Sequence, residues 1–456
     1  MASGFPRRVV ITGMGWVTPL GDDVDRAWAR LMAGESGVGP VTRYEAGTFA
    51  TNFAAEVKGF RLEEFIADAG PHAGAHVNSR FALAAASRAW KQAGLGDMSR
   101  PGGRKAGEAG VNPRRAGVYL GSGEGVPDFE AFCAANIGSW DAGARKTDDA
   151  KWAAIARERM TATAELEQEP HMAIAHLARA FGVRGPSFNC MTACAASTQA
   201  IGEAFELIRR GDADLMLAGG THSMIHPLGM TGFIRLTAMS RRKDDPSHAA
   251  RPFDATRDGF VMGEGAGVLV LESLEQAQRR GATPLAEVAG FGSTADAYRI
   301  TDIQPDGLGG FGAMSAALAQ AGVDPKATDA NGRPAVHYIS AHGTGTKEND
   351  SIETKAVKAL FGPLAPKVPF SSVKSMMGHL IQAAGAVELI TCIKAIETGW
   401  LPPTINLNTP DPACDLDYVP NRARDVRAQG GVDLCLSNSF GFGGQNDTLA
   451  VRRFRG

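Results

Sequence analysis

Cys194 stands where a thiol can serve as a nucleophile. Residues 185–190 form a short apolar run, small residues follow it, and residues 195–211 carry apolar side chains at helical spacing. The sequence therefore predicts a strand, a tight turn holding Cys194, and a helix. Because the first N–H groups of a helix are unpaired and its dipole favours negative charge, we expect this thiol to ionise more readily than free cysteine, whose pKa is about 8.5. The alternative is a buried structural cysteine, a role for which Cys190 is the better candidate.

Two histidines lie in comparable surroundings further along the chain. His342 follows a predicted strand in the sequence AHGTGT, and His379 is predicted to begin a long apolar helix over residues 379–398. A single histidine after a strand is usually structural, whereas two, each beside glycine and small residues, favour a functional role. On the same predicted helix Glu388 is placed to pair with Lys374, although an ordinary ion pair is the alternative.

The stretch SNSFGFGGQND, residues 437–447, predicts a mobile loop. Glycines flank Phe442, which leaves the backbone N–H groups of this turn accessible. Other motifs carry no such signal. The run GEGAG lacks the glycine spacing of a dinucleotide-binding loop. Two histidine pairs four residues apart have no acidic or cysteine partner for zinc, namely His72 with His76 and His222 with His226.

Composition limits the class of protein. A net charge of −2 over 456 residues gives no reason to expect nucleic acid as a partner. The six cysteines show neither metal-ligand spacing nor a disulfide framework, which favours a reducing cytoplasm. The N-terminus leads directly into a short strand rather than a signal peptide, and no apolar run is long enough to span a bilayer.

The order of predicted elements indicates an α/β protein. Strands and helices alternate along the chain, as in mostly parallel sheets covered by helices. The first strand is predicted at residues 8–12, ending in a turn at residues 13–15, and residues 148–169 are predicted to be a charged, solvated helical stretch. A strand, a small-residue turn and an Ala-rich helix occur around Cys194 and again around His379, which predicts an internal duplication.

Several motifs together resemble one family. They are TACAAST at residues 192–198, RPFDATRDGFVMGEGAG at residues 251–267, AHGTGT at residues 341–346, KSMMGH at residues 374–379 and NSFGFGG at residues 438–444. In this order they resemble the β-ketoacyl-acyl-carrier-protein synthases, in particular the type II elongating ketosynthases. The resemblance implies a thiolase fold, with two duplicated βαβαβαββ halves in five layers, and a homodimer with active sites near the interface. We expect the halves at residues 6–275 and 276–455.

The resemblance also implies a role for each matching residue. Cys194 takes the acyl chain from the phosphopantetheine of acyl-carrier protein. His342 and His379 then assist the loss of CO₂ from malonyl-acyl-carrier protein, and condensation extends the chain by two carbons. Lys374, paired with Glu388, holds the histidine region in shape. No metal and no further cofactor is implied.

Further matches concern the substrate. The backbone N–H groups of Cys194 and Phe442 correspond to the oxyanion hole, and Phe442 also corresponds to a gate between the two half-reactions. Thr344 and Thr346 correspond to residues that hydrogen-bond the pantetheine arm. Because the carrier protein is acidic in this family, we expect a local basic patch for docking. The candidates are Arg241, Arg242 and Lys243, for which a solvated charged turn is the alternative.

Two features depart from the family pattern. Glu124 stands near the end of the expected acyl pocket, where the family often has an apolar residue, and residues 126–169 match poorly and are longer. A buried carboxylate needs a partner or a raised pKa. These departures favour a specialised ketosynthase of a secondary fatty-acid or polyketide pathway.

Three other functions remain open at this point. A non-catalytic chain-length partner subunit would lack the nucleophile, whereas Cys194 and both histidines are present. A coenzyme A-dependent thiolase-like enzyme would need a second cysteine where this chain has His379. A cysteine hydrolase would leave Lys374 and the HGTGT turn unexplained.

Overall fold

The computed structural model describes residues 6–123, 125, 127–300 and 302–456. These residues form a mixed sheet of ten strands, flanked by helices. In chain order the strands are β1 Val9–Val17, β2 Ala116–Ser122, β3 Ser187–Cys190, β4 Leu215–His222, β5 Gly265–Ser273, β6 Ala286–Ala295, β7 Tyr338–Ser340, β8 Phe370–Ser371, β9 Leu434–Gly441 and β10 Gln445–Arg452. Three short ribbons pair Gly39–Pro40 with Phe53–Ala54, Trp140–Asp141 with Lys146–Thr147, and Trp400–Leu401 with Arg424–Asp425.

The helices alternate with these strands. They are α1 Val24–Met32, α2 Val77–Gln92, α3 Phe129–Gly138, α4 Asp149–Arg159, α5 Ala162–Glu167, α6 Met172–Phe181, α7 Ala196–Arg209, α8 Pro227–Arg235, α9 Leu274–Arg279, α10 Leu308–Ala321, α11 Lys347–Phe361, α12 Lys374–Met377 and α13 Ala384–Thr398. The charged stretch predicted at residues 148–169 forms α4 and α5, and most of its residues are exposed. None of the helices within the described ranges combines the length and hydropathy needed to cross a membrane.

The ten strands repeat one plan twice. The first half runs in the order β1-β5-β4-β2-β3 and the second in the order β6-β10-β9-β7-β8, so each strand of the first half corresponds to the strand numbered five higher in the second. The strand senses agree as well. β2 is parallel to β3 and β4, β7 is parallel to β8 and β9, and the other pairs are antiparallel. The predicted duplication and the thiolase fold are confirmed.

The two halves meet at β1 and β6, which pair through Val9–Ile11 and Ala286–Val288. Helices α7 and α13 contact each other and strands of both halves, so they form the middle of five layers. The outer layers are α2 with α6 on one side and α10 with α11 on the other. The predicted boundary at residues 275 and 276 lies inside α9, and we propose the loop after that helix as the junction instead.

The predicted turn at residues 13–15 is wrong, because β1 continues to Val17. Gly13 and Gly15 instead face α2. A Cβ at Gly13 would lie 2.1 Å from the carbonyl oxygen of Ala89, and one at Gly15 would lie 2.2 Å from that of Ala85. These glycines therefore allow strand and helix backbones to approach closely rather than reverse the chain.

Candidate active site

Cys194 lies in a 3₁₀ turn, Ala193–Ala195, between β3 and α7. Ala193 has φ +47°, a left-handed conformation that L residues rarely adopt. From this turn the side chain of Cys194 reaches His379 in the second half of the chain. Cys194 is 3% exposed, and the backbone N–H groups of Phe442 and of Cys194 itself favour the anionic form of its sulfur.

The expected ready ionisation of this thiol is wrong. Burial raises the pKa of Cys194 to about 11 and outweighs the lowering effect of the Lys374 ammonium and the two backbone N–H groups. The sequence argument considered the helix start but not desolvation. Cys194 is therefore a thiol surrounded by groups that would stabilise a thiolate.

His379 contacts the sulfur directly. Its Nε2 lies 3.0 Å from Cys194 Sγ, and its Nδ1 accepts the backbone N–H of Ile381 at 3.2 Å. Because Nδ1 accepts a hydrogen bond, the proton of the neutral ring is on Nε2 and points toward the sulfur. Burial and the charge of Lys374 hold the pKa of His379 well below 6.5, so the ring is neutral at pH 7.

The prediction that His379 begins a helix is wrong. Its backbone forms a bridge with Met262, donating to Val261 at 2.7 Å and accepting from Gly263 at 2.9 Å. The chain then passes through a left-handed residue, Ile381 at φ +41°, and α13 begins only at Ala384. The small-residue pattern identified the helix correctly but could not show that its first residues pair with a distant segment.

His342 follows β7 and faces the same space. Its ring centroid is 5.4 Å from that of His379, and burial together with Lys374 lowers its pKa well below 6.5. Glu353 of α11 fixes the turn by accepting the backbone N–H groups of His342 at 2.9 Å and Gly343 at 2.8 Å. Burial raises the pKa of Glu353 to about 7.

The role of α11 was missed at the level of sequence. Asp350, one turn before Glu353, accepts the backbone N–H groups of Phe253 and Gly345. Arg257 lies 3.4 Å from Asp350 and donates to the carbonyl oxygen of Thr346 at 3.1 Å. The sequence did contain an indication of this role. Two carboxylates, Asp350 and Glu353, lie three residues apart in the helical stretch after HGTGT, so they share one helix face.

Lys374 and Glu388 form a buried ion pair, as predicted, between α12 and α13. The ammonium also donates to the carbonyl oxygen of His342 at 2.6 Å, so one side chain ties both histidine segments together. Burial raises the pKa of Glu388 to about 7, against the effect of Lys374. The ion pair is thus buried inside the site and shielded from solvent.

One donor atom from each of Cys194, His342 and His379 lies within 4.8 Å of the other two. Among the described residues, it is the one group of at least three His, Cys, Asp or Glu side chains whose donor atoms lie close enough together to hold a metal ion. A Cys-His-His set is compatible with zinc. The Lys374 ammonium, which lowers the pKa of both imidazoles, would repel a metal cation as well. The absence of a metal from the chemistry stays a prediction, and this charge supports it.

Phe442 and the two threonines border the site on one side. Phe442 is half-buried and packs with the apolar cluster that contains Cys194, just before two glycines with φ +87° and +76°. Thr344 and Thr346 lie with their hydroxyl oxygens 3.0 Å apart, and Thr346 caps α11. Phe442 and Thr346 line a cavity of about 440 Å³ that opens at the surface.

A second cavity, of about 800 Å³, adjoins the first, because Leu236 lines both of them. Its apolar lining includes Met191, Met224, Leu228 and Phe233. The ring of Phe233 packs on Phe260, which in turn packs on His379, so a row of packed rings connects the wall of this cavity to the histidine that contacts the thiol. Glu124 lies outside the described residues, and its expected place in the acyl pocket stays a prediction.

The predicted docking residues lie in a surface loop before β5. Arg241 and Lys243 are exposed, and no ion pair holds either of them within the described part of the chain. Arg242 is half-buried and donates to the carbonyl oxygen of Thr256 at 2.5 Å. The loop therefore presents two free cations and one that serves its own structure.

Comparison with known proteins agrees with this geometry. Sequence models described as the N-terminal and C-terminal domains of beta-ketoacyl synthase match residues 6–277 and 285–408. The 3-oxoacyl-[acyl-carrier-protein] synthase 2 of Coxiella burnetii is 41% identical over 450 residues, covering 98% of this chain and 99% of that protein. A beta-ketoacyl synthase from Burkholderia phymatum superposes with a TM-score of 0.82 at 34% identity, over 98% of this chain and 100% of that one. A type II PKS ketosynthase in complex with its acyl-carrier protein has the same score at 33% identity, over 99% of this chain and 100% of that one.

Proposed function

The chain belongs to the beta-ketoacyl synthase family and is a condensing acyltransferase, and from this premise we propose how its residues carry out the reaction. Cys194 takes an acyl group from acyl-carrier protein, and His342 and His379 promote the decarboxylation of malonyl-acyl-carrier protein. The observation that carries this assignment is the contact between the thiol and a neutral imidazole, with the Nε2 hydrogen of His379 directed at the sulfur.

In the first half-reaction the sulfur of Cys194 attacks the thioester carbonyl of the acyl carrier. The thiol proton leaves, the carbonyl oxygen becomes an oxyanion, and the phosphopantetheine thiol departs with a proton. We assign the stabilisation of this oxyanion to the N–H groups of Cys194 and Phe442, which already favour negative charge on the neighbouring sulfur. The proton lost by the Cys194 thiol balances the proton that the departing phosphopantetheine thiol carries away, so neither histidine gains or loses a proton over this half-reaction.

In the second half-reaction the bond between the malonyl carboxylate and Cα breaks. CO₂ leaves, and the electron pair forms an enolate whose charge lies on the thioester oxygen. Neutral imidazoles that donate Nε2–H toward this oxygen stabilise the charge as it develops. The enolate carbon then attacks the acyl group on Cys194, the thiolate leaves, and the 3-oxoacyl product remains on the carrier. No cofactor of the enzyme's own is needed, because decarboxylation drives the condensation.

Lys374 and Glu388 act as positioning residues in this scheme. The ammonium holds the His342 carbonyl oxygen and the Glu388 carboxylate, so it fixes the relative position of the two histidine segments. It also helps to keep both imidazoles neutral, which the donor role requires. We therefore assign to the pair the arrangement of the site rather than contact with substrate.

The two cavities suit the two parts of the substrate. We assign the apolar cavity lined by Phe233 to the acyl chain. The cavity lined by Thr346 and Phe442 is assigned to the pantetheine arm, with Thr344 and Thr346 as hydrogen-bonding groups. Phe442 borders both the thiol and the arm cavity, and the glycines that follow it allow it to act as a gate.

We infer that the partner is an acyl-carrier protein, as in the complex with the type II PKS ketosynthase, and that the surface it presents for docking is acidic. Arg241 and Lys243 are the exposed cations that support docking. We also infer a cytoplasmic setting, which is supported by six cysteines that all remain free thiols. The rival functions are disfavoured. Cys194 is present, unlike in a chain-length partner, and His379 occupies the place of the second thiolase cysteine.

The proposed reaction is tested with purified protein, acyl-carrier protein loaded with acyl chains, and malonyl-carrier protein. The expected product is a 3-oxoacyl carrier two carbons longer than the starting chain, detected by mass spectrometry with one CO₂ per turnover. Reversing Arg241 and Lys243 to Glu should raise the KM for the carrier about tenfold and change kcat less, since rim charges act mainly on encounter. Carbon–carbon bond formation with no CO₂ release would instead support a thiolase-like reaction.

We further propose a homodimer formed through β3. This strand ends the sheet and pairs only with β2 in the described part of the chain, so its other edge is open. Phe188 on this strand is 47% exposed and Met191 just after it is 55% exposed. An apolar open edge favours pairing with another strand, and twofold symmetry lets β3 pair with itself.

Light scattering should give a mass of about twice the 47.8 kDa of one chain. Phe188→Glu should shift the population toward the monomer, because it places a charge at the centre of the proposed interface. The matched control is Tyr298→Glu, since Tyr298 is also 47% exposed but lies away from this edge. A monomeric mass for the unmodified protein would rule out the interface.

A further inference from the structure

A separate cavity, which we call the outer cavity, lies beside the C-terminal end of α6, in an outer helical layer. It has a volume of about 450 Å³ and is lined by residues of three segments: 66–72, 98–105 and the end of α6. Its polar lining consists of Asp68, His72, Arg100, Lys105 and Arg179. None of these residues takes part in the reaction proposed above.

The charge of the outer cavity is unbalanced. Three cations and one carboxylate, Asp68, line it. Lys105 and Arg179 make no ion pair within the described ranges, whereas Arg100 lies 3.3 Å from Asp97, which also binds Lys91 at 2.8 Å. Lys105, Arg179 and Asp68 therefore face the cavity outside any ion pair of the described residues, which leaves an excess of one positive charge. A concave surface of one charge sign concentrates ions of the opposite sign.

A buried chain of hydrogen bonds begins at the base of this cavity. His72, 3% exposed, lies with its Nδ1 at 2.9 Å from Nδ1 of His176, and Nε2 of His176 lies 3.0 Å from both carboxylate oxygens of Glu167. A carboxylate only accepts, so His176 donates from Nε2 and accepts at Nδ1. His72 must then donate from Nδ1, which leaves its Nε2 as an unprotonated nitrogen.

We propose that the outer cavity binds a small organic phosphate, with Lys105 and Arg179 on the phosphate and His72 taking up a proton as the anion enters. The cavity is far larger than inorganic phosphate, and Ile66, Pro71 and Met98 give it an apolar wall. The ligand therefore combines a phosphate with a compact apolar group. A phosphate oxygen near the base of the cavity would accept a hydrogen bond from protonated Nε2 of His72.

The surrounding charges explain why proton uptake and binding are linked. Burial lowers the pKa of His72 to about 4, with further lowering by His176, by Arg179 and least by Lys105, while Asp68 raises it by more than Lys105 lowers it. An anion on Arg179 and Lys105 offsets their positive charge and raises this pKa. Because the bound state then holds the proton more tightly, binding must strengthen as pH falls toward the pKa of the occupied site.

Calorimetric titration of the full chain with phenyl phosphate at pH 7 tests the site. We expect one saturable site, at least tenfold weaker in Arg179→Gln and in Lys105→Gln, and unchanged in Arg26→Gln, an exposed arginine on α1. Inorganic phosphate should bind more weakly than phenyl phosphate, and phenol should not bind. Equal affinity in Arg179→Gln, or an equal loss in Arg26→Gln, would overturn the site. Equal affinity for inorganic phosphate would overturn the apolar part of the assignment.

The proton linkage is tested with inorganic sulfate, whose charge does not change in this pH range. Its affinity should rise several-fold between pH 7.5 and 5.5 in the unmodified protein and stay flat in His72→Asn, which keeps an N–H donor but cannot take up a proton. A second measurement uses only the unmodified protein, so it holds even if His72→Asn folds poorly. The heat of sulfate binding is measured in two buffers of different ionisation enthalpy, and the difference gives the number of protons taken up. An affinity that does not change with pH, with no proton uptake, would overturn the role of His72.

Discussion

Replacing Cys194 with Ala is expected to abolish the acyl-enzyme and to lower condensation at least about ten-thousandfold, while decarboxylation of malonyl-carrier protein continues. Acyl transfer needs the sulfur as nucleophile, and no other group in the site can replace it. The histidines that act on the malonyl thioester remain in place, because the smaller side chain leaves His379 held by Ile381 and by its bridge with Met262.

Intact-mass spectrometry after mixing with acyl-carrier protein measures the acyl-enzyme, and radiolabelled CO₂ release measures the second half-reaction. Cys190→Ala is the matched control. Its sulfur is also near the start of α7, donating to the carbonyl oxygen of Ala196 at 3.1 Å, and burial raises its pKa to about 12. This variant should still form the acyl-enzyme. Acylation that persists in Cys194→Ala would remove Cys194 from the role of nucleophile.

Replacing either His342 or His379 with Ala is expected to lower decarboxylation about 100-fold to 1,000-fold and leave the acylation of Cys194 largely intact. One hydrogen-bond donor to a developing oxyanion contributes about 3–4 kcal/mol, which corresponds to this change in rate. For His379 the structure permits a sharper comparison. Glutamine places an N–H near the position of Nε2, so His379→Gln should keep more activity than His379→Asn.

The measurement is CO₂ release from malonyl-carrier protein at saturating substrate. The control is His171→Ala, an exposed histidine at the start of α6, which should behave as the unmodified protein. Since the pKa of both active-site histidines is held well below 6.5, each stays neutral as pH falls from 8 to 6. A drop in rate centred near pH 6.5 would contradict neutral donors, and unchanged CO₂ release in either Ala variant would remove that histidine from the mechanism.

Local sequence patterns predicted which residues form the site better than they predicted the burial and pKa of those residues. The small residues around Cys194 indicated a strand-to-helix turn, and the turn is there, because strand ends and helix starts depend on neighbouring residues. The high pKa of the thiol could not be predicted in this way. It depends on burial by segments from the other half of the chain, and desolvation is a property of the folded site.

The same distinction explains the errors at the histidines. The Ala-rich pattern after His379 identified α13, but the bridge to Met262 that holds His379 outside the helix joins residues far apart in sequence. Likewise, Glu353 lies in the polar sequence KENDSIETK, where a carboxylate is usually exposed to solvent. Its contacts with the backbone of His342 and Gly343 arise only when α11 packs against the end of β7.

The three residue pairs between β1 and β6 have a consequence for engineering. They make one sheet of both halves, and α7 and α13 bury their surfaces between strands that belong to different halves. A half expressed alone would expose that whole middle layer to water. A chimera that joins one half of this chain to a half from a distant relative should therefore fail to fold, because the residues that face α7 and α13 would no longer match. Exchange between relatives should succeed only when both halves are exchanged together.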